Sequence, residues 1–292
     1  MKPSIPIRDN VGWTLRHAGL SDVGRHREVN EDAFCVLPRY LLFVVADGMG
    51  GHKAGSVASR LATDSISEFF GSTEGEDSTW PFHFDPLRSY EENRLFAGIK
   101  LANRRIFEAS SENADVQGMG TTVVGCVFSG TMCKVYIGHV GDSRCYRWRD
   151  GTLDLLTRDH SLVNDYRLAM PHLSSEQMAE LPRNVITRAL GMQESVLVDI
   201  QADVPQVGDV YLLCSDGLSE ALADEEIAET LVAHQLDLET IARELVDRAN
   251  TNGGDDNITV VLVGVDGVHE LRDSQKLDDH PTVEIIPRPR KA

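Results

Sequence analysis

Leu41-Leu42-Phe43-Val44-Val45-Ala46-Asp47-Gly48-Met49-Gly50-Gly51-His52 is the stretch on which the reading of this chain turns. Its six leading apolar residues have the length of a buried strand and fall far short of the roughly 20 that a membrane span needs. The run stops at an aspartate followed by glycines, and the same pattern recurs. Ile137-Gly138-His139-Val140-Gly141-Asp142-Ser143 repeats it, as does Leu212-Leu213-Cys214-Ser215-Asp216-Gly217, while Gly253-Gly254-Asp255-Asp256-Asn257 precedes the apolar run Ile258–Val265. One Asp-Gly after a strand is an ordinary turn. Three strand-terminal aspartates, with Asp256 in a Gly-rich turn, point instead to a shared site at one rim of a sheet. Carboxylates crowded there repel one another unless protons or a cation intervene. Hard divalent ions such as Mg²⁺ and Mn²⁺ take such oxygen ligands. Gly48, Gly50 and Gly51 lack side chains that would keep backbone carbonyls from a ligand.

Working outward, strands are expected at 41–46, 121–128, 134–140, 143–148, 210–214 and 258–265. Helical stripes of apolar residues run over 54–70, 90–109, 224–233 and 238–249. Strands in runs and helices in pairs favour sheets with helices outside them over βαβ alternation. The polar stretch 71–85 carries Trp80, Phe82 and Phe84 and reads as a long loop whose aromatic patch packs down or meets a partner. From 266 to 292 the periodicity is lost and prolines accumulate, so 14–265 reads as one domain followed by a mobile tail.

The chain has 292 residues, 41% of them hydrophobic, which suits a folded soluble protein. With 46 acidic against 28 basic residues the net charge is -18, which argues against nucleic acid or an anionic membrane as partner. Five scattered cysteines without a Cys-x-x-Cys pair argue against a disulfide framework or zinc site and suit a cytoplasmic protein. The first ten residues contain no apolar signal core.

Six motifs then occur in an order that resembles the bacterial PPM-type (type-2C) metal-dependent serine/threonine protein phosphatases. They are Arg27-Glu28-Val29-Asn30-Glu31-Asp32, Val45–His52, Gly118-Met119-Gly120-Thr121-Thr122, Gly141-Asp142-Ser143-Arg144, Ser215-Asp216-Gly217-Leu218 and Gly254-Asp255-Asp256-Asn257-Ile258-Thr259. The resemblance implies an α+β fold, a four-layer α-β-β-α sandwich of two antiparallel sheets flanked by helix pairs. It implies hydrolysis of phosphoserine and phosphothreonine on proteins by a hydroxide held between two Mn²⁺ or Mg²⁺ ions and attacking phosphorus in line, in opposition to a cognate kinase.

By the same resemblance Asp47 bridges the two metals, the Gly48 carbonyl completes one shell, and Asp216 and Asp256 bind the second metal. Asp142, with Asp216, matches the holder of a third, weaker metal. Glu31 and Asp32 hold waters on the metals, and Arg27 grips the substrate phosphate. Met49 stands where some relatives carry a histidine general acid, which leaves His52 as a candidate for that task. His160 reads as a residue at the base of a mobile flap, expected over 159–191 with a helical stretch at 175–181. Cys214 lacks the Cys-x5-Arg loop of cysteine phosphatases and reads as packing.

The Walker lysine of P-loop NTPases is missing after Gly51, and Asp47-Gly48-Met49 is not the Asp-x-Asp of haloacid-dehalogenase phosphatases. A calcium-binding protein of EF-hand type would group its aspartates in one loop. The alternative kept from another class is a catalytically silent phosphoprotein-binding relative. A monomer is expected. Thr282 with Ile285 in the tail resembles ligands of phosphothreonine-reading forkhead-associated domains, against a default of solvating sequence.

Overall fold

The computed structural model describes residues 11–270, except 51–53, 75–79, 83, 173, 175–176, 179, 183–184 and 234–236. His52, Gly51 and the tail from 271, with Thr282, lie outside the described residues. Two antiparallel sheets face each other. One orders its strands β1 (Val11–Asp22), β11 (Ile258–Glu270), β10 (Val210–Cys214), β7 (Arg144–Arg149) and β8 (Thr152–Leu155). The other runs β2 (Asp32–Leu37), β3 (Leu42–Met49), β5 (Val123–Ser129), β6 (Lys134–Val140) and β9 (Asp199–Asp203), with β4 (Gly120–Thr121) pairing the end of β3.

Alternation along each central strand explains the unbroken hydrophobic runs, since both faces are covered. Phe43 and Val45 of β3 point between the sheets, where they meet Leu213 of β10 and Val261 and Val263 of β11. Leu42, Val44 and Ala46 point the other way, against α1 (Ala54–Ser72) and α2 (Tyr90–Glu112). On the far side Leu212, Cys214, Val260 and Leu262 pack against α5 (Asp224–Ala233) and α6 (Leu238–Thr251). The result is the expected α-β-β-α sandwich. The aromatic segment after residue 79 packs down: the Trp80 ring lies 5.6 Å from Phe69, 5.1 Å from Phe84 and 5.6 Å from Tyr90.

Several expectations need correction. The paired strands extend past 14–265 at both ends, because Val11 pairs with Glu270. The single strand expected at 121–128 is broken at Thr122, whose backbone N–H turns to donate to the Asp47 carbonyl at 2.8 Å. Strands β1, β2, β8 and β9 were not expected. The flap region carries a helix, α3 (Leu162–Ala169), ahead of the stretch expected at 175–181, of which 175, 176 and 179 lie outside the described residues. Ser161 caps α3 by accepting from the Asn164 N–H.

Candidate metal centre

The strand-terminal aspartates do converge. Asp47 lies near the end of β3, two residues before Met49, and Asp32 opens β2 directly opposite it in the antiparallel register. Asp216 begins the short helix α4 (Asp216–Ser219) at the end of β10, and Asp256 sits in the turn before β11. Asp32, Asp47 and Asp216 are each perturbed by their neighbours, the charge of Asp256 among them. Burial pushes the Asp47 carboxyl well above the ordinary range, reinforced by the charges of Asp32 and Asp216 and by a hydrogen bond shared with Asp216. Asp216 is raised by burial and by Asp256. Burial pushes Asp32 up to about 7 although two hydroxyls hold its charge. Asp142, in the turn after β6, faces Asp216 and is likewise pushed up to about 7 by burial, then by Asp216 and Asp159.

Hydroxyls and amides fix Asp32, the backbone of Asp47 and the segments around them, and sequence reasoning missed most of them as individuals. Asp32 Oδ2 accepts from Ser215 Oγ at 2.8 Å and Thr259 Oγ1 at 2.6 Å. The Asp47 backbone is held from both sides: its N–H donates to Thr122 Oγ1, and its carbonyl accepts from Thr121 Oγ1. Thr122 Oγ1 also lies 2.7 Å from Ser143 Oγ, which links the Asp47 strand to the Asp142 turn. Asn257 accepts the Glu31 N–H and donates to the carbonyls of Val23 and Val29, seating the loop that carries Arg27. All these residues lie inside the six motifs or next to them, so the motifs were the available signal, but their hydrogen bonds cross between distant segments.

Gly48 is required for a different reason from the one expected. A Cβ there would meet the Gly55 carbonyl at 2.1 Å and the Glu31 carbonyl at 2.6 Å. Backbone approach of α1 and of the Glu31 segment, more than access for a ligand, forbids a side chain. The Glu31 carbonyl accepts from the Gly48 N–H and from Ser59 Oγ, which seats Glu31 beside the Asp47-Gly48 turn. Arg27 reaches the rim with its side chain about half exposed, donating from Nη2 to Asp256 Oδ2 at 2.6 Å. Cys214 is fully buried and its thiol is pushed up to about 12, so it is packing and no nucleophile.

The donor set fits divalent cations. It is all oxygen and mostly carboxylate. Buried oxygens Asp32 Oδ1, Asp142 Oδ1 and Asp216 Oδ1 have no hydrogen-bond donor among the described residues. Desolvated, mutually repelling carboxylates with bare oxygens are what a hard cation relieves.

The sequence profile of the protein phosphatase 2C family matches residues 24–263. The chain belongs to the protein phosphatase 2C family. It is 36% identical over 263 residues to the serine/threonine phosphatase Stp of Listeria monocytogenes, spanning 87% of this chain and 97% of that one. It is 35% identical over 259 residues to the serine/threonine protein phosphatase PstP of Mycobacterium tuberculosis, covering 87% of this chain and 46% of PstP. The catalytic domain of PstP solved with two manganese ions superposes with a TM-score of 0.71 at 33% identity, covering 87% of this chain and 99% of that one. Stp1 of Staphylococcus aureus gives 0.74 at 34% identity, with 88% and 97% covered. The α-β-β-α sandwich is thus the 2C phosphatase fold, and its acidic rim lies where the two sheets of this family member meet.

Proposed function

We propose that this 2C phosphatase hydrolyses phosphoserine and phosphothreonine on proteins with the help of Mn²⁺ or Mg²⁺. Asp47, the Gly48 carbonyl, Asp216 and Asp256 would hold two cations, and Asp142 with Asp216 a weaker third. The observation that carries the reading is the gathering of Asp32, Asp47, Asp216 and Asp256 from four separate elements, with buried oxygens that lack donors. Cations bound there acidify a water and offset charge on the phosphoryl oxygens.

The chain's own groups do the rest. Arg27, half exposed at the rim, binds the phosphate oxygens through its planar fork. Asp32, held rigid by Ser215 and Thr259, and Glu31 beside Gly48 accept hydrogen bonds from water in the site and so orient it. His52, the candidate proton donor to the departing serine or threonine oxygen, lies outside the described residues. All four metal-holding aspartates, Asp47, Asp142, Asp216 and Asp256, are present, whereas a silent relative would have lost one. The substrates are proposed to be proteins phosphorylated by a cognate kinase in the cytoplasm. In support, all five cysteines are free, and no described helix is long and apolar enough to cross a membrane.

The test is phosphate release from phosphoserine, phosphothreonine and phosphotyrosine peptides after EDTA stripping, with and without added Mn²⁺. Release is expected from the first two only when Mn²⁺ is restored. Arg27→Ala should raise KM by about tenfold or more, the scale of one charge-assisted hydrogen bond. Release that ignores EDTA, or none from folded, Mn²⁺-loaded protein, overturns the reading.

A further inference from the structure

Behind the Asp142 turn lies a second group of titratable side chains. His139 of β6 and His160 are 4% and 2% exposed, and their rings stack at 4.7 Å with 9° between planes. Asp199 of β9 approaches His160 Nε2 at 3.2 Å. Two histidines and a carboxylate this close could be taken for a metal site, but the hydrogen bonds argue otherwise. His160 Nδ1 accepts the Gly141 N–H at 3.0 Å, so the neutral ring carries its proton on Nε2 and donates it to Asp199 Oδ2. A cation would have to displace one of these bonds. It would also sit beside Arg188, whose Nη1 is 2.7 Å from Asp199 Oδ1 and 3.0 Å from His160 Nε2. Burial, with His139 and Arg188 nearby, pulls His160 down to about 4, so the ring is neutral at pH 7.

The group is built to hold a turn. The His160 N–H donates to the Gly141 carbonyl at 2.9 Å while its Nδ1 accepts the Gly141 N–H, a two-point grip on the residue before Asp142. Gly141 sits at φ +107°, and a Cβ there would meet Thr122 at 2.6 Å, so Thr122 braces the turn from the opposite side. The His160 carbonyl accepts the Thr187 N–H, which anchors the grip to the segment where the chain returns from the flap region.

We propose that His160 is a positioning residue for Asp142: locked in one tautomer by Asp199, it grips Gly141 at both backbone atoms and so aims the Asp142 carboxylate at the cation centre. The inference rests on the proposed role of Asp142 and adds to it the residue that sets its place. Thr122 supplies the brace, and Asp199 with Arg188 supplies the lock.

Mn²⁺ titration calorimetry on the full chain tests this, with no activity measurement involved. Asp142→Ala identifies the binding event that depends on Asp142. His160→Phe keeps the stacked ring and loses Nδ1, and it should weaken that event by about tenfold or more, the usual cost of losing a partner behind a ligand. The tighter events should change less than twofold. His160→Asn places Oδ1 near the lost Nδ1 and should restore the event to within about threefold of wild type. Asp199→Ala should act in the direction of His160→Phe, and it carries the test if that variant does not fold. Folded His160→Phe or Asp199→Ala with wild-type affinity, equal weakening of every event, or failure of His160→Asn to rescue would each overturn the positioning role. An Asp142→Ala titration identical to wild type would instead remove the role of Asp142 itself.

Discussion

Asp216→Asn is expected to abolish phosphate release, by about a thousandfold or more, and yet to raise the melting temperature of the EDTA-treated protein. Both follow from one fact: Asp216 adds a desolvated charge to a rim already holding Asp47 and Asp256. Losing a preorganised electrostatic group at a reacting centre costs on the order of 10²–10³ in rate, and a cation ligand sits at or beyond that range. In the metal-free protein, asparagine removes one repelling charge. Its amide can also donate to Asp47, with which Asp216 shares a hydrogen bond. Relief of about 1–3 kcal/mol is expected. For a chain of this size that corresponds to a rise of roughly 2–10 °C. Adding Mn²⁺ should reverse the order, since a ligand at a hundred times its Kd stabilises the binder by about 2.7 kcal/mol. Thermal melts of both proteins in EDTA and in Mn²⁺ check this crossing. A variant less stable than wild type in EDTA would contradict the idea that these carboxylates repel.

The second large effect is expected at Gly217. A Cβ there would lie 2.1 Å from the Asn257 carbonyl oxygen, a backbone atom that cannot rotate aside. Gly217→Ala therefore has to separate the turn bearing Asp216 from the turn bearing Asp256 and Asn257. Asn257 in turn holds the Glu31 N–H, so the Arg27 loop shifts as well. Displacement of reacting groups by about 1 Å costs on the order of a hundredfold. Overpacking of this kind costs roughly 1–3 kcal/mol of stability. Gly151→Ala is the matched control. At φ +85° it strains the β7–β8 turn, but its Cβ meets nothing within 4 Å and the turn lies away from the rim. It should lose about 1–3 kcal/mol in urea unfolding with activity retained. Equal activity in the two variants would contradict the role given to close packing at Gly217.

What the sequence made legible follows from where each segment lies. Central strands such as 41–46 and 258–265 are covered on both faces, so their apolar runs are unmistakable, and α5 appeared with the bounds expected from its stripe. Edge and half-covered strands were not legible. β9 reads Asp-Ile-Gln-Ala-Asp, with charges suited to an exposed sheet edge. β8 was announced only by Asp150-Gly151, both at positive φ, a hairpin turn signal that a search for apolar runs passes over. β1 mixes Arg16, His17 and Gly19 among its apolar residues; Gly19 is there because Phe34 occupies the space a Cβ would need.

The site divides in the same way. Its carboxylates were visible as strand endings. The groups that hold them, Thr122, Ser215, Asn257, Thr259 and His160, make hydrogen bonds across sequence separations of 19 to 234 residues. No local pattern encodes such a bond, and only the motif order hinted at these positions. The flap helix α3 buries none of its residues, so it lacked the apolar stripe that gives a helix away.

The acidic rim between the sheets is the proposed divalent-cation centre of this phosphatase. Anomalous diffraction from crystals grown with Mn²⁺, collected near the manganese edge, tests it most directly. Two strong peaks are expected among Asp47, the Gly48 carbonyl, Asp216 and Asp256, a weaker one at Asp142, and none at His139, His160 and Asp199. An empty rim at saturating Mn²⁺, or a strong peak between the two histidines, would contradict it.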